Sequence, residues 1–163
     1  MAAGKTRLAK ELASASGFDL LDLDDVFEER YKISILNFFD KYNEAVFRRL
    51  EQEILHETLH RDHVIISTGG GTPCFFDNMQ FIRDNGASIY IRLSPDDLAE
   101  RLRSVRKKRP LLKDVPSEDL ESYIINQLGE REPFYLRADY IVDGPDVDPE
   151  DVIRIIPELV GPA

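Results

Sequence analysis

The sequence has one cysteine, Cys74, and no tryptophan. An internal disulfide is therefore excluded, and a lone thiol fits a reducing compartment. Next to Phe75 and Phe76, Cys74 reads as a small apolar residue rather than a nucleophile. No apolar run approaches the ~20 residues that a membrane helix needs. No charged start leads into an apolar stretch and a cleavage site, so no signal peptide is expected. Positive charge is scarce: 21 Lys and Arg stand against 31 Asp and Glu, for a net charge of -10. Nucleic-acid binding usually needs a basic surface, so that class is disfavoured. Repeats, low-complexity tracts and long linkers are also missing.

What is present is ordinary for a folded chain. The 163 residues are 42% hydrophobic and 32% charged, which suits a single domain over 1–163 with one substantial core. Short apolar runs alternate with helical patterns. Phe18–Leu23, His63–Thr68, Ser88–Leu93 and Asp139–Val142 read as strands. Their apolar character on both faces is that of parallel strands covered by helices. Helices are expected over Lys5–Ala15, Asp24–Arg30, Glu44–His60, Phe75–Asn85, from Pro95 behind a Ser94 cap, over Glu118–Glu130 up to Pro133, and over Asp148–Val160. The alternation predicts an α/β fold, with a parallel sheet flanked by helices and right-handed crossovers. Pro110–Ser117 is the best candidate for a mobile loop.

The chain opens Met-Ala-Ala-Gly-Lys-Thr and turns helical. Gly4-Lys5-Thr6 is the tail of GxxxxGK[ST]. In that pattern glycine lets successive N–H groups curl toward phosphate oxygens, and the helix N-terminus adds partial positive charge. Lys5 would reach the β- and γ-phosphates, and the Thr6 hydroxyl would ligate Mg²⁺. Taken alone, the tripeptide also fits an ordinary helix start.

Further along, Asp22-Leu23-Asp24 closes the first strand. Alternation puts both carboxylates on one face at the strand's C-terminal edge, where parallel sheets gather ligands. They could serve Mg²⁺ and a substrate hydroxyl; a helix cap would account for one of them. Gly69-Gly70-Gly71 follows the second strand and leaves bare backbone for close approach to a ligand. Arg48 and Arg131 each offer a fork that matches a carboxylate, and Glu51, one turn after Arg48, could hold that arginine in place. Six cations lie between Arg101 and Arg109. Of these, Arg109, just before Pro110-Leu111-Leu112, is singled out as one that a closing loop could bring onto a transferring phosphoryl group.

In order, AAGKT, DLDD, FRRLE, STGGG, RPLL and EREPFY resemble the shikimate kinase family over nearly the whole chain. The resemblance implies a P-loop, nucleoside-monophosphate-kinase-like three-layer sandwich of five parallel strands with a mobile lid, here about 110–125. It implies transfer of the ATP γ-phosphate to the 3-hydroxyl of shikimate, in the biosynthesis of chorismate and the aromatic amino acids. Ala2, Ala3, Gly4, Lys5, Thr6 and Arg109 would meet the nucleotide, with Mg²⁺ on Thr6 and, through water, Asp22. Asp24 would hold the shikimate hydroxyl and is a candidate base. Arg48 and Arg131 would clamp the carboxylate, with Gly69, Gly70 and Gly71 lining the pocket and about 25–60 forming the substrate-binding region. Lys5, Asp24 and Arg109 form the expected catalytic set. A cytoplasmic monomer is expected, with ATP and shikimate as its small-molecule partners and no nucleic acid or membrane.

Two departures stand out. Ala2 stands where many relatives have glycine. The family's first strand and first glycine would fall before Met1, so the sequence is expected to be a fragment or to carry a late start assignment. That strand normally lies between HVIIST and SIYIRL, and without it an apolar slot is expected in the sheet. Two other readings remain open: a related kinase acting on gluconate or a nucleotide, and an inactive relative that only binds.

Overall fold

The computed structural model describes residues 3–105 and 119–159. In chain order the elements are α1 (Lys5–Ser16), β1 (Asp19–Asp22), α2 (Leu23–Tyr31), α3 (Ile35–Lys41), α4 (Glu44–Glu57), β2 (Val64–Ser67), α5 (Asn78–Asn85), β3 (Ile89–Arg92), α6 (Pro95–Val105), α7 (Leu120–Tyr135), β4 (Tyr140–Asp143) and α8 (Pro149–Ile155). The predicted strands recur with each end shortened or shifted by a residue. Short 3₁₀ turns at Thr58–His60 and Thr72–Cys74 carry the chain out of α4 and past the triple glycine.

Helix ends follow local chemistry. Gly17 closes α1 in the left-handed region (φ 74°), where its N–H reaches the Ala13 carbonyl. The side chains of Ser34 and Asn43 accept backbone N–H bonds and start α3 and α4. The Ser94 hydroxyl likewise accepts from the Asp97 N–H at 3.1 Å, as expected for the start of α6. Helix α7 departs from expectation. It runs through Pro133 to Tyr135 rather than stopping at Glu130. A proline inside a helix forfeits one backbone bond, but the Leu136 N–H still closes on the Glu132 carbonyl at 2.8 Å.

The strands form two parallel pairs, β1 with β2 and β3 with β4. The implied fifth strand has no counterpart among the described residues. Between β2 and β3 lies a cavity of about 490 Å³, bordered by Ile65 and Ile66 on one side, Ile89 and Ile91 on the other, and Leu8 and Leu12 of α1. This is the expected apolar slot. The buried side chains fall into separate groups around it. Leu8, Leu12, Val142, Val152 and Ile156 join α1 to α8 and β4. Leu23, Phe27, Phe38, Phe47, Ile54 and Leu55 bind α2, α3 and α4 together. Leu93, Leu98, Leu102, Leu120 and Ile124 seal α6 to α7. No helix of the described residues is long and apolar enough to cross a membrane.

Candidate active site

Gly4 stands just ahead of α1 with φ 86°, a left-handed conformation that glycine adopts without strain. Its carbonyl accepts the Leu8 N–H, so the helix starts squarely at Lys5. The Thr6 hydroxyl donates to Asp22 Oδ2 at 3.1 Å. The phosphate-type helix start therefore touches the end of β1. Asp22 also accepts the Asp24 N–H at 3.0 Å and caps α2. The alternation expected through Asp24 is corrected here: β1 ends at Asp22 and the chain turns helical at Leu23, because the Asp22 carboxylate captures the first free N–H of the next helix.

Asp24 nevertheless reaches the site from that first turn. A Cβ placed on Gly69 would sit 3.4 Å from Asp24 Oδ1 and 2.8 Å from Glu51 Oε1. On Gly71 it would sit 2.5 Å from Arg48 Nη2. Neither glycine is in a left-handed conformation. Both are needed for space: their bare backbone lets the Asp24 carboxylate and the Arg48 guanidinium crowd the same loop.

Arg48 is only 4% exposed and so is Glu51. Arg48 Nη1 donates to Glu51 Oε2 at 2.8 Å, while its Nε and Nη2 both donate to Glu44 Oε1 at 3.0 and 2.8 Å. The guanidinium also lies 4.4 Å from the centre of the Phe75 ring, close enough for cation–π attraction. Burial works against the Arg48 charge, but the two carboxylates outweigh it and hold the guanidinium protonated. Thr72, fully buried, donates to the other Glu51 oxygen at 2.6 Å. Asn78 Nδ2 holds the Thr72 carbonyl at 2.8 Å. The expected Glu51 support of Arg48 thus extends into the glycine loop.

Arg131, half-buried on α7, comes in from the opposite element. Among the described residues no carboxylate pairs with it. Its charge reaches Cys74, Tyr123 and Tyr135 and partly offsets the effect of burial on each. Burial pushes the Cys74 thiol up and keeps it protonated, in line with its reading as a small apolar residue. Ala2, Arg109 and the lid up to 118 lie outside the described residues.

Several contacts were not foreseen. Arg101 of α6 places its guanidinium where a Gly4 Cβ would meet it at 3.1 Å, and donates to the Pro145 carbonyl. Of that basic run only Arg109 was singled out from the sequence. Spacing alone could not reveal that Arg101 turns in toward the loop. Glu44, Phe75 and Tyr135 were likewise unassigned. Among the described residues no group of three His, Cys, Asp or Glu side chains converges as a metal site. A cation here would rest on the oxygens of Thr6 and Asp22 and on a ligand's phosphates, a hard donor set of the kind Mg²⁺ prefers.

A helix start open to phosphate and, past the end of one strand, a buried guanidinium beside a carboxylate define an α/β phosphotransferase acting on a small acceptor. Comparison with known proteins carries this to the family. The family model for shikimate kinase matches residues 1–160. The shikimate kinase of Parabacteroides distasonis is 42% identical over 143 residues, covering 88% of this chain and 83% of that protein. The crystal structure of the Bacteroides thetaiotaomicron enzyme superimposes with a TM-score of 0.87 at 38% identity, over 98% of this chain and 93% of the other. An Acinetobacter baumannii shikimate kinase, solved in complex with shikimate, gives 0.86 at 29% identity, over 98% and 88%. The chain belongs to the shikimate kinase family.

Proposed function

We propose that this chain transfers the γ-phosphate of ATP to the 3-hydroxyl of shikimate, on the route to chorismate and the aromatic amino acids. The observation that carries the reading is the glycine run, against which Asp24 and Arg48 both pack. A hydroxyl held by Asp24 and a carboxylate held by Arg48 and Arg131 describe a small carboxylated polyol better than a nucleotide.

In this reading Gly4, Lys5 and Thr6, with Ala2 and Ala3, cradle the nucleotide phosphates, and Arg101 adds a cation beside Gly4. Mg²⁺ would sit on Thr6, with Asp22 joined through water, and offset charge on the β- and γ-phosphates. Asp24 orients the attacking hydroxyl and accepts its proton as the phosphoryl group transfers. Gly69, Gly70 and Gly71 line the acceptor pocket. Arg109 of the lid meets the phosphates on closure. One domain does this work, with about 25–60 as its acceptor region. The lone cysteine supports a cytoplasmic location, and a monomer completes the reading.

The test is ADP release from MgATP with shikimate or gluconate as acceptor. Release that depends on shikimate, and falls at least tenfold with gluconate, is expected. Release with gluconate and none with shikimate would overturn the acceptor assignment.

A further inference from the structure

We infer that Tyr135 is a positioning residue of the acceptor site, a latch that fixes the glycine loop and the arginine-bearing helix α7 relative to one another. The inference rests on the acceptor reading above for its functional consequence, but its geometry stands apart from it.

Tyr135 ends α7, one turn after Arg131, and so shares that residue's face of the helix. Its hydroxyl donates to the Gly70 carbonyl at 2.5 Å, across 65 residues of chain. The Cys74 thiol approaches the same carbonyl at 3.9 Å. Beneath, the Tyr135 ring packs on Tyr90 of β3 with centres 5.1 Å apart. Tyr90 in turn donates to Glu132 Oε1 at 3.3 Å, back on α7. Burial raises the Tyr135 phenol well above its ordinary range, so the hydroxyl stays a donor at any physiological pH.

The consequence follows from peptide geometry. In a planar trans peptide the carbonyl of one residue and the N–H of the next point in opposite directions. Holding the Gly70 carbonyl toward Tyr135 therefore fixes where the Gly71 N–H is aimed. Gly71 is also the residue whose Cα backs onto the Arg48 guanidinium. The latch thus links Arg131 through Tyr135 and Gly70 to Gly71 and Arg48. A run of bare glycines has more backbone freedom than any other sequence; a turn bond from the Thr72 N–H to the Gly69 carbonyl at 3.2 Å closes it from within, and contacts from outside add to that hold. Thr72 and Asn78 anchor its far end, and the Tyr135 hydroxyl anchors its middle.

The test uses Tyr135→Phe, which keeps the ring on Tyr90 and removes the hydroxyl with its bonds to Gly70, Arg131 and Cys74, and Cys74→Ala as the companion that removes the weaker donor to Gly70. Two readouts are taken on the full chain: amide hydrogen exchange at Gly70–Thr72 without ligand, and shikimate and MgADP affinities by calorimetry. Removing one such hydrogen bond predicts exchange about tenfold faster at those amides and shikimate binding about three- to tenfold weaker. MgADP affinity should stay within twofold, and Cys74→Ala should change neither readout by more than twofold. Unchanged exchange in Tyr135→Phe would overturn the latch. So would an equal loss of both affinities with a lowered melting temperature, which would make Tyr135 a general structural residue. If the unaltered chain fails to bind shikimate while exchange still rises in the variant, the latch stands and the acceptor assignment falls.

Discussion

On the proposed acceptor side, Arg48 and Glu51 are each 4% exposed, Thr72 is fully buried, and the three are joined by hydrogen bonds of 2.6 to 2.8 Å. Between β2 and β3, some 490 Å³ stand open, bordered by isoleucines, and no strand among the described residues lies between them. One region is filled with polar contacts, while the other is an open space walled by apolar side chains. The described contacts of the first region come from residues of α2, α4, α5, α7 and the glycine loop. The cavity has walls contributed by α1, β2 and β3 but no filling. Where a close-packed interior is interrupted, the lining atoms lose their partners. The region around Arg48 thus draws its order from side-chain bonds between elements.

The sharpest way to break that comparison is chemical. Asp24→Asn leaves the shape of the acceptor region intact and removes one negative charge. At least about a 100-fold loss of shikimate-dependent ADP release is expected, as for loss of a positioned acid–base group. MgATP affinity should remain within twofold, since the helix start at Gly4 and Lys5 is untouched. Equal loss of both would show Asp24 to be a structural residue.

A packing comparison comes next. Phe27 is 1% exposed and touches the rings of Tyr31, Phe38 and Phe47 at 4.8 to 5.1 Å between centres. Phe27→Ala should cost about 3–5 kcal/mol of unfolding free energy, because it removes apolar area and opens a void. Ile65→Ala lies against a void that already exists. Only the transfer of a partly exposed side chain is lost, about 1 kcal/mol. Denaturant titration of both variants measures the difference. Equal costs would mean that the β2–β3 gap is as well packed as the acceptor side.

The sequence made some of this visible and concealed the rest for identifiable reasons. The four strand cores, the Gly4 helix start, the Arg48–Glu51 pair and the glycine run were legible, because each follows from a period of two or 3.6 or from a fixed spacing. The slot was legible only through the family resemblance, which supplied the strand that ought to fill it. Helix α3 was missed. Its apolar residues crowd together at Ile35, Leu36, Phe38 and Phe39, a run too short to show a period, and its cap at Ser34 was overlooked. Asp22 was read as a ligand-facing strand residue, with a helix cap as the alternative for it or for Asp24. The capping role of Asp22 depends on where β1 stops, which a one-residue shift decides. Glu44, Phe75, Arg101 and Tyr135 act through contacts spanning helices and loops, and such contacts leave no mark in local sequence.

Glu44 offers the finest test of how finished the acceptor side is. It stands at the start of α4, and one of its oxygens takes two donors of Arg48, Nε and Nη2. Its side chain is 45% exposed, whereas that of Glu51 is 5% exposed. Glu51 is therefore a fixed partner, while Glu44 covers the side of the guanidinium that a bidentate carboxylate would take. A substrate carboxylate arriving there has to displace Glu44, whose exposed carboxylate is solvated and so holds the buried Arg48 less firmly than Glu51 does. Glu44→Gln should thus tighten acceptor binding about two- to fivefold with MgATP affinity unchanged, whereas Glu51→Gln should weaken it. Calorimetric titration with shikimate separates the two. Weaker binding in both variants would make Glu44 part of the fixed frame. Tighter binding in Glu44→Gln alone would mean that the buried network holds a ready guanidinium behind a gate that one exposed side chain keeps shut.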